Sequence, residues 1–378
     1  MKTLGLILSF WCQLTVAQKA IVTVIVAPHA SVRDSTLKVF IAGNKQQLGN
    51  WNPSAVALTK QNDSLWKFEA AFDSGEALEF KITRGSWESE AIYEAGKIPQ
   101  NTIIEVTKDT VLFLRPLLWK SQLRRAKPEQ AIRGKVEYHR ALAGEGLNYK
   151  RDLIVWLPPS YEKNTKKHYP VLYMHDGQNI FDPSTAFTGH DWRVDEVADS
   201  LIKMKKIEEI IVVGIYNSPD RLPEYSDSPL GNAYLNFVVS VVKPLIDSTY
   251  RTKPDRKHTA VIGSSLGGLS SLFFAWKRPD IFGMAGCLSS AFWYDDEKTL
   301  KEVQKYSGVK KDIRIYLDCG GREKELIGGY YRMVDILKKK GFVKGRDLDY
   351  YLERNGVHNE QAWAKRVWRP LVFMFGKR

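Results

Sequence analysis

The chain has 378 residues, of which 44% are hydrophobic and 26% are charged, so it is long enough for two globular domains with sizeable cores. Its 56 Lys and Arg residues exceed its 43 Asp and Glu residues, and the formal net charge is +13 at pH 7. Because the basic residues form no long block and no nucleic-acid motif accompanies them, we expect no nucleic-acid partner. The charge indicates either a basic, solvated surface or a surface that meets anionic material.

Residues 1–18 are predicted to be a signal peptide. Lys2 supplies the positive start, residues 4–12 are largely apolar, and Thr15-Val16-Ala17 provides the cleavage site. The apolar stretch is too short to cross a bilayer, and no later segment is long and apolar enough. We therefore expect the protein to be secreted or periplasmic, without stable membrane insertion.

Residues 19–115 are predicted to form a small all-β sandwich. Runs typical of strands are separated by Gly, Asn, Asp and Pro, which favour turns. The predicted strands are residues 20–27, 36–42, 64–72, 77–83, 102–106 and 110–114. Residues 116–133 are assigned to a linker, because the stretch 119–128 is basic and polar and has little hydrophobic pattern.

Several motifs of this β-rich segment match one known pattern. They are VFIAGN (39–44), LGNW (48–51), LW (65–66), LEFKI (78–82) and WE (87–88). In these motifs the segment resembles the starch-binding domain, carbohydrate-binding module family 20. The resemblance implies a sugar platform of Trp51, Lys81 and Trp87, in which the indoles stack on pyranose rings and the lysine donates hydrogen bonds to hydroxyl groups. We predict that Trp51 and Trp87 are partly exposed and adjacent; the alternative is that they only pack the sandwich or pack against the second domain.

Residues 134–378 are predicted to form a second domain in which strands alternate with helices. The predicted strands are residues 136–141, 153–157, 170–174, 209–216, 258–262, 283–288, 313–317 and 348–352. A long amphipathic helix is expected over residues 232–248, with Pro244 kinking it or marking its last turns. Such alternation indicates a mostly parallel sheet with helices on both faces.

The segment Gly263-Ser264-Ser265-Leu266-Gly267 follows a predicted strand and precedes an apolar, helix-compatible run. It fits the G-x-S-x-G nucleophile elbow of α/β-hydrolases, a strained turn in which bulky residues two positions from the nucleophile would collide. We therefore predict an α/β-hydrolase fold in which Ser265 is the catalytic nucleophile. The alternative is an ordinary glycine-rich turn between a strand and a helix.

An activated serine needs a base and an acid that orients the base. In this fold the chain order is serine, acid, histidine, and active residues lie beyond the carboxyl ends of the strands. Only His358 follows Ser265 in the sequence, and it comes after a predicted strand, so we assign it as the base. Asp318, Glu323 and Glu325 are candidates for the acid. We favour Glu323, because a side chain after the turn can reach back over the sheet edge, and we keep Asp318 as the second candidate.

The oxyanion formed during serine catalysis needs two preorganised N–H donors. The first is expected from Leu266, the residue after the nucleophile. The second should come from the loop after predicted strand 170–174, where Gly177 permits a tight turn. The N–H of Gly177 or Gln178 is the candidate, and we favour Gln178; the alternative is a plain polar turn. No metal or cofactor is expected.

Four further motifs occur together in the second domain. They are YMHDGQNIFD (173–182), GSSLGG (263–268), LDCG (317–320) and VHNEQAW (357–363). With them, residues 134–378 resemble the esterase D-like α/β-hydrolases, which include enterochelin, feruloyl and acetyl-xylan esterases and S-formylglutathione hydrolases. The resemblance implies Ser265 as nucleophile, His358 as base and an acid in the turn 318–323, usually at the position of Glu323.

Together with the signal peptide, these expectations describe a secreted serine esterase that acts on a carboxylic ester. A carbohydrate ester of the feruloyl or acetyl type is the first hypothesis, with the β-rich domain holding the glycan. A ferric catecholate siderophore ester is the second, because the basic charge suits it. The third is an exported glycan-binding protein with a vestigial hydrolase domain. Arg221 and Tyr225, in loop 216–225, are expected to shape the substrate pocket unless this is a plain surface loop.

Overall fold

The computed structural model describes residues 19–33, 36–94, 101–122 and 132–377. The chain divides into two compact units, residues 1–125 and residues 126–378. The predicted signal peptide lies outside the described residues. Among the described residues, no helix has both the length and the apolar character that crossing a membrane requires.

The first unit is a β domain that contains, in the part described, two four-stranded sheets and a two-stranded ribbon. Its strands are β1 (Lys19–Val26), β2 (Phe40–Gly43), β3 (Val56–Ala57), β4 (Thr59–Asn62), β5 (Leu65–Asp73), β6 (Ala77–Thr83), β7 (Ala91–Ile92), β8 (Thr102–Glu105), β9 (Thr110–Leu114) and β10 (Leu118–Trp119). The four-stranded sheets have the orders β4-β5-β1-β9 and β3-β2-β6-β8. Alternate side chains of β1, such as Val22 and Val24, share one buried core with Leu78 and Phe80 of β6. The predicted all-β domain is therefore confirmed.

The β domain extends further along the chain than the predicted boundary at residue 115. Strand β10 pairs with β7, and the indole of Trp119 is fully buried in the core of the domain. Its Nε1–H donates a hydrogen bond to the carbonyl of Val32 (3.2 Å). Residues 118–119 therefore belong to the β domain, although their basic, polar surroundings in the sequence placed them in the linker. Residues 123–131 of that predicted linker lie outside the described residues.

The second unit is built on one eight-stranded sheet. Its strands are β11 (Lys135–Leu142), β12 (Arg151–Leu157), β13 (Val171–His175), β14 (Ile211–Ile215), β15 (Thr259–Ser264), β16 (Met284–Leu288), β17 (Arg314–Gly320) and β18 (Leu348–Glu353). They lie in the order β11-β12-β14-β13-β15-β16-β17-β18. Strand β12 is antiparallel to both of its neighbours, and the other neighbouring strands pair in parallel. The sheet is thus mixed, and all of its strands except β12 run in one direction.

Helices connect these strands. They are α1 (Val194–Lys203), α2 (Arg221–Glu224), α3 (Pro229–Phe237), α4 (Lys243–Thr249), α5 (Leu266–Lys277), α6 (Tyr294–Lys305), α7 (Lys324–Lys339), α8 (Glu360–Ala364) and α9 (Trp368–Phe375). The predicted long helix corresponds to α3 and α4, joined by the π-helical segment Val238–Val242. Pro244 lies in the first turn of α4, directly after this π-helical segment, and its backbone nitrogen has no N–H to donate to the helix.

The helices cover both faces of the sheet. On β12, Leu153 and Val155 belong to a core cluster that includes residues of α3, α5, α6 and α7. The intervening Ile154 and Trp156 belong to a second cluster with residues of α1, α8 and α9. Because side chains alternate between the two faces of a strand, each cluster fills one face. The carboxyl ends of the parallel strands meet at one edge of this sheet, which is where the predicted catalytic residues follow their strands.

Candidate active site

Ser265 occupies the turn between β15 and α5. Its backbone has φ 58° and ψ −123°, a conformation that residues with a side chain rarely adopt. The N–H of Ser265 donates to the carbonyl of Leu288 (3.0 Å), and the carbonyl of Ser265 accepts from the N–H of Ala291 (3.1 Å). A Cβ on Gly263 would lie 2.7 Å from the backbone of Gly267, so the close approach of strand and helix requires glycine there. The half-buried Ser265 thus lies in a strained turn at the carboxyl end of β15.

His358 and Glu323 are brought together from the turns that follow β18 and β17. The Nδ1 atom of His358 lies 3.7 Å from Oε1 of Glu323. The histidine side chain is 35% exposed, whereas the glutamate side chain is 1% exposed. The ring of Trp363 packs edge-on against the imidazole at a centroid distance of 5.0 Å. The imidazole therefore has one nitrogen facing a buried carboxylate and remains open to solvent.

The carboxylate of Glu323 accepts hydrogen bonds at both of its oxygens. The Ser289 hydroxyl donates to Oε1 (2.9 Å). The Gly320 N–H and the Cys319 thiol donate to Oε2 (3.1 and 3.3 Å). Every one of these partners is a donor, so the surroundings of Glu323 are built for the ionised form.

Two buried carboxyl groups lie near the end of β17, Asp318 within the strand and Glu323 after it, and their surroundings shift their pKa values in opposite directions. Burial alone would raise the pKa of Glu323, but the His358 imidazole, the Arg366 guanidinium and the Ser289 hydroxyl outweigh it and lower that pKa to about 2. Burial raises the pKa of Asp318 to about 6, although Arg366 opposes the shift. Asp318 pairs with Nε of Arg366 (3.0 Å), and among the described residues it has no ion pair with His358. Glu323, rather than Asp318, is therefore the charged group that faces the histidine.

A network beneath the triad candidates was not visible in the sequence. The Ser289 hydroxyl accepts hydrogen bonds from Nε1 of Trp363 (3.0 Å) and from Arg366, and it donates to Glu323. Ser289 directly follows Leu288, whose carbonyl binds the N–H of Ser265. The backbone of the elbow and the carboxylate of Glu323 are thus connected through two consecutive residues. No spacing rule in the sequence links Ser289 to partners that lie 34 to 77 positions further along the chain.

The two predicted oxyanion donors follow neighbouring strands. Leu266 is the first residue of α5, and the first N–H groups of a helix have no acceptor within the helix. Gln178 lies in the 3₁₀ turn Gly177–Asn179 that follows β13, and β13 pairs with β15. A Cβ on Gly177 would lie 2.4 Å from the backbone of Gly214, so only glycine fits at the start of this turn. The Gln178 carbonyl accepts from the Thr185 hydroxyl (2.6 Å), which fixes the turn.

The loop after β14 supports the turn that carries Gln178. Arg221 donates two hydrogen bonds to the carboxylate of Asp176 (2.7 and 2.8 Å), and Asn217 donates a third (2.6 Å). The Tyr225 hydroxyl accepts from the N–H of Asp176 (3.1 Å). The Arg221 side chain is partly exposed, whereas Tyr225 is fully buried. Tyr225 therefore supports the loop from below and, contrary to the expectation from the sequence, has no exposed surface with which to shape a pocket.

In the β domain, the two predicted platform tryptophans are adjacent. The rings of Trp51 and Trp87 have a centroid distance of 6.4 Å and an interplanar angle of 39°, and both residues are half-buried. Asn50 and Trp51 have φ angles of 47° and 62°, which present the Trp51 ring on a strained loop. The ammonium group of Lys81 forms an ion pair with the buried carboxylate of Glu90. Lys81, on the strand β6 that precedes Trp87, is thus anchored within the β domain.

Comparison with known proteins assigns a family to each unit. The Esterase family model matches residues 144–373, which is more than half of the chain, and the starch binding domain model matches residues 21–111. The uncharacterized protein YbbA of Bacillus subtilis is 27% identical over 249 residues, which cover 60% of this chain and 93% of YbbA. The endo-1,4-beta-xylanase/feruloyl esterase of Xylanibacter ruminicola is 29% identical over 228 residues, which cover 58% of this chain but only 29% of the relative.

Solved structures with the same fold include two kinds of esterase. A ferulic acid esterase has a TM-score of 0.53 and 24% identity, covering 64% of this chain and 98% of its own. The enterochelin esterase of Shigella flexneri has a TM-score of 0.55 and 14% identity, covering 89% of this chain and 87% of its own. The family match and these neighbours agree with the geometry at the carboxyl end of the sheet: the chain belongs to the Esterase family and is a carboxylic ester hydrolase.

Proposed function

We propose that this chain is a secreted serine esterase in which Ser265, His358 and Glu323 form the catalytic triad. The observation that supports this best is the strained turn that holds Ser265 at the carboxyl end of β15, at the edge of the sheet where β17 and β18 also end and are followed by Glu323 and His358. The proposal that the chain is secreted rests on the signal-peptide pattern of residues 1–18. The family membership favours an active enzyme over a glycan-binding protein with a vestigial hydrolase domain.

The mechanism follows from the roles of these groups. The Ser265 hydroxyl attacks the ester carbonyl carbon while Nε2 of His358 takes its proton, because Nδ1 of the same ring faces Glu323. The N–H groups of Leu266 and Gln178 donate hydrogen bonds to the oxyanion of the tetrahedral intermediate. The imidazolium then protonates the leaving alcohol, and an acyl-enzyme forms on Ser265. Water attacks the acyl-enzyme with the same base, and the carboxylic acid leaves.

We also infer that the second unit is an α/β-hydrolase fold. Its sheet places the serine after the fifth strand, the candidate acid after the seventh and the histidine after the eighth. This chain order of serine, acid and histidine is the one that the fold uses. The antiparallel strand β12 is the single departure from a parallel sheet, and it lies next to the edge strand β11, away from the strands that carry these residues.

A carbohydrate ester of the feruloyl or acetyl type is the substrate class that we propose first. The starch binding domain match and the adjacent indoles of Trp51 and Trp87 support a glycan-bound substrate. A relative whose name includes feruloyl esterase aligns with 58% of this chain. The β domain would raise the local concentration of ester groups by holding the polysaccharide that carries them.

A ferric catecholate siderophore ester is the second candidate. The fold of the enterochelin esterase extends over 89% of this chain. The net charge of +13 would also attract an anionic iron–catecholate complex. The two candidates differ in both the acyl and the alcohol part of the ester, so a substrate comparison separates them.

The test compares hydrolysis of an aryl acetate, an aryl ferulate, acetylated xylan and a ferric catecholate triester by the purified chain. Ser265→Ala is the matched control, and its melting temperature shows whether it folds. We expect Ser265→Ala to lower hydrolysis by about 10³-fold or more, since nucleophile and base act as one unit. A folded Ser265→Ala variant with most of the activity would exclude the serine mechanism. A strong preference for the ferric catecholate ester would exclude the carbohydrate substrate.

A further inference from the structure

Three acidic residues that are not among the catalytic candidates meet at the start of α1. One carboxylate oxygen from each of Asp191, Asp195 and Glu196 lies within 4.8 Å of the other two. Asp195 and Glu196 belong to the first turn of α1, and Asp191 belongs to the loop that leads into it. No sequence motif pointed to these residues. Their grouping arises because the loop folds back against the helix start.

Two oxygens of this group are buried without a hydrogen-bond donor. Asp195 is fully buried; its Oδ2 accepts the N–H of Arg133 (2.5 Å), but its Oδ1 has no partner. Oε2 of Glu196 is likewise buried without a partner. Buried carboxylate oxygens that are not bonded to a donor are costly and therefore rare. These oxygens therefore require either a proton shared between them or a bound cation.

The charge count points to a divalent ion. The three carboxylates have a combined charge of −3 when ionised, and the only ion pair that they form in the described part of the chain joins Glu196 to Nε of Arg193 (3.2 Å). One guanidinium leaves a charge of −2. Lys206 and Lys365 line the adjacent cavity, but in the described residues neither forms an ion pair with the group.

The donor atoms also select the kind of ion. An all-oxygen set suits a hard cation, and Ca²⁺ accepts several carboxylate ligands in a flexible geometry. Mg²⁺ demands a nearly ideal octahedron, keeps several of its waters and is usually bound by only one or two carboxylates, so a group of three carboxylates favours Ca²⁺. The adjacent cavity of about 970 Å³, lined by Asp191 and Glu196, has room for an entry route and for water ligands. We propose that Asp191, Asp195 and Glu196 form a calcium-binding site.

The site would stabilise the part of the fold that holds the oxyanion loop. Trp192, next to Asp191, donates its N–H to the carbonyl of Asn179 (2.9 Å), the last residue of the turn that carries Gln178. Its indole packs against Trp363 at a centroid distance of 5.6 Å. An ion bound here would fix the loop between these contacts without touching the ester. Its effect is therefore on stability and not on the chemical step.

The test measures binding and melting, so its outcome does not depend on the proposed esterase mechanism. The whole chain is stripped with a chelator and titrated with Ca²⁺ by calorimetry and by thermal melting. We expect one Ca²⁺ per chain and a rise in melting temperature of about 5–10 °C at a hundredfold excess over Kd. Terbium emission sensitised by the neighbouring Trp192, and displaced by Ca²⁺, provides a second readout.

Asp195→Asn and Glu196→Gln should each abolish the response to Ca²⁺. Asp199→Asn is the matched control, because Asp199 lies one turn further along α1, pairs with Lys203 and is not part of the group. It should melt with the same Ca²⁺-dependent rise as the wild type. If a variant fails to fold, the Ca²⁺ titration of the wild type still tests the proposed site.

Several outcomes would overturn the calcium site. A wild type that neither binds Ca²⁺ nor melts higher in millimolar Ca²⁺ would mean that Asp195 and Glu196 share a proton instead, an arrangement in which burial and Glu196 raise the pKa of Asp195. Asp195→Asn would then melt at or above the wild-type temperature. A response to Mg²⁺ alone, or an equal Ca²⁺ response in Asp195→Asn, would also refute the assignment.

Discussion

Exchanging Glu323 for Gln keeps the shape of the side chain and removes the charge that faces the histidine. The carboxylate lies 3.7 Å from Nδ1 of His358, and both of its oxygens accept hydrogen bonds. An amide has one oxygen and one NH₂ group, so it must turn the NH₂ toward a donor on one side. Either the Ser289 hydroxyl or the Gly320 N–H then loses its acceptor.

The expected loss of activity follows from the role of an acid in such a triad. Without the carboxylate, His358 lacks the partner that fixes its tautomer and stabilises its protonated form. We expect Glu323→Gln to lower kcat by about 10³–10⁴-fold, which corresponds to about 4–5 kcal/mol of transition-state stabilisation. The variant should remain folded, because the side chain keeps its volume and most of its contacts.

Asp318→Asn is the control that separates catalysis from stability. Asp318 pairs with Arg366 and not with His358, so its loss should reduce kcat of the folded protein by less than about tenfold. Removing one partner of a buried ion pair costs about 3–5 kcal/mol, and we expect the lower value because Glu323 lies 3.8 Å from the same guanidinium. Kinetics with an aryl acetate and melting curves of both variants provide the comparison. If folded Asp318→Asn is slower than Glu323→Gln, Asp318 is the acid and the assignment of Glu323 is refuted.

Two further predictions concern pH and glycan binding. Because the pKa of Glu323 is lowered to about 2, the ionised carboxylate contributes about 3 kcal/mol to the free energy of unfolding. This contribution is present above the ordinary pKa near 4.5 and is lost as the pH falls toward 2. When urea unfolding is followed across these pH values, the stability of Glu323→Gln should lack this fall. The double variant Trp51→Ala/Trp87→Ala should bind insoluble starch or xylan about tenfold more weakly and hydrolyse a small aryl ester at the wild-type rate. If the wild type does not bind these glycans and the double variant has a much lower melting temperature, the two rings only pack the domain.

Local patterns were sufficient for most of the longer strands and for the motif residues. Strand β6 and strand β9 have the predicted bounds, because each combines β-branched or aromatic residues with turn residues at both ends. Strands β3 and β7 were missed, since two residues are too short to show a period of two. Trp119 was missed for a different reason: a single buried indole within a basic segment leaves no periodic pattern, and its partner Val32 lies far away in the chain.

At the candidate active site too, the sequence predicts what neighbouring residues determine and does not predict what depends on distant residues. The elbow at Ser265 is encoded by neighbours, because glycine is needed within two positions of the nucleophile. The choice between Asp318 and Glu323 depends on where β17 ends. The strand continues to Gly320, so Asp318 is still part of it and points toward Arg366, whereas Glu323 follows the turn. The calcium ligands depend on a loop that folds back, which no local pattern records.

The opposite pKa shifts of Asp318 and Glu323 explain how one guanidinium serves two carboxyl groups. Arg366 lies 3.0 Å from Asp318 and 3.8 Å from Glu323, and its single charge cannot fully compensate two buried negative charges. The cost of burial falls on Asp318, whose pKa is raised to about 6, while Glu323 also has the histidine and the Ser289 hydroxyl as partners and its pKa is lowered to about 2. When Asp318 takes up a proton, the charge of Arg366 therefore compensates the Glu323 carboxylate alone. The carboxylate that faces His358 keeps its charge through the whole range in which a histidine acts as a base.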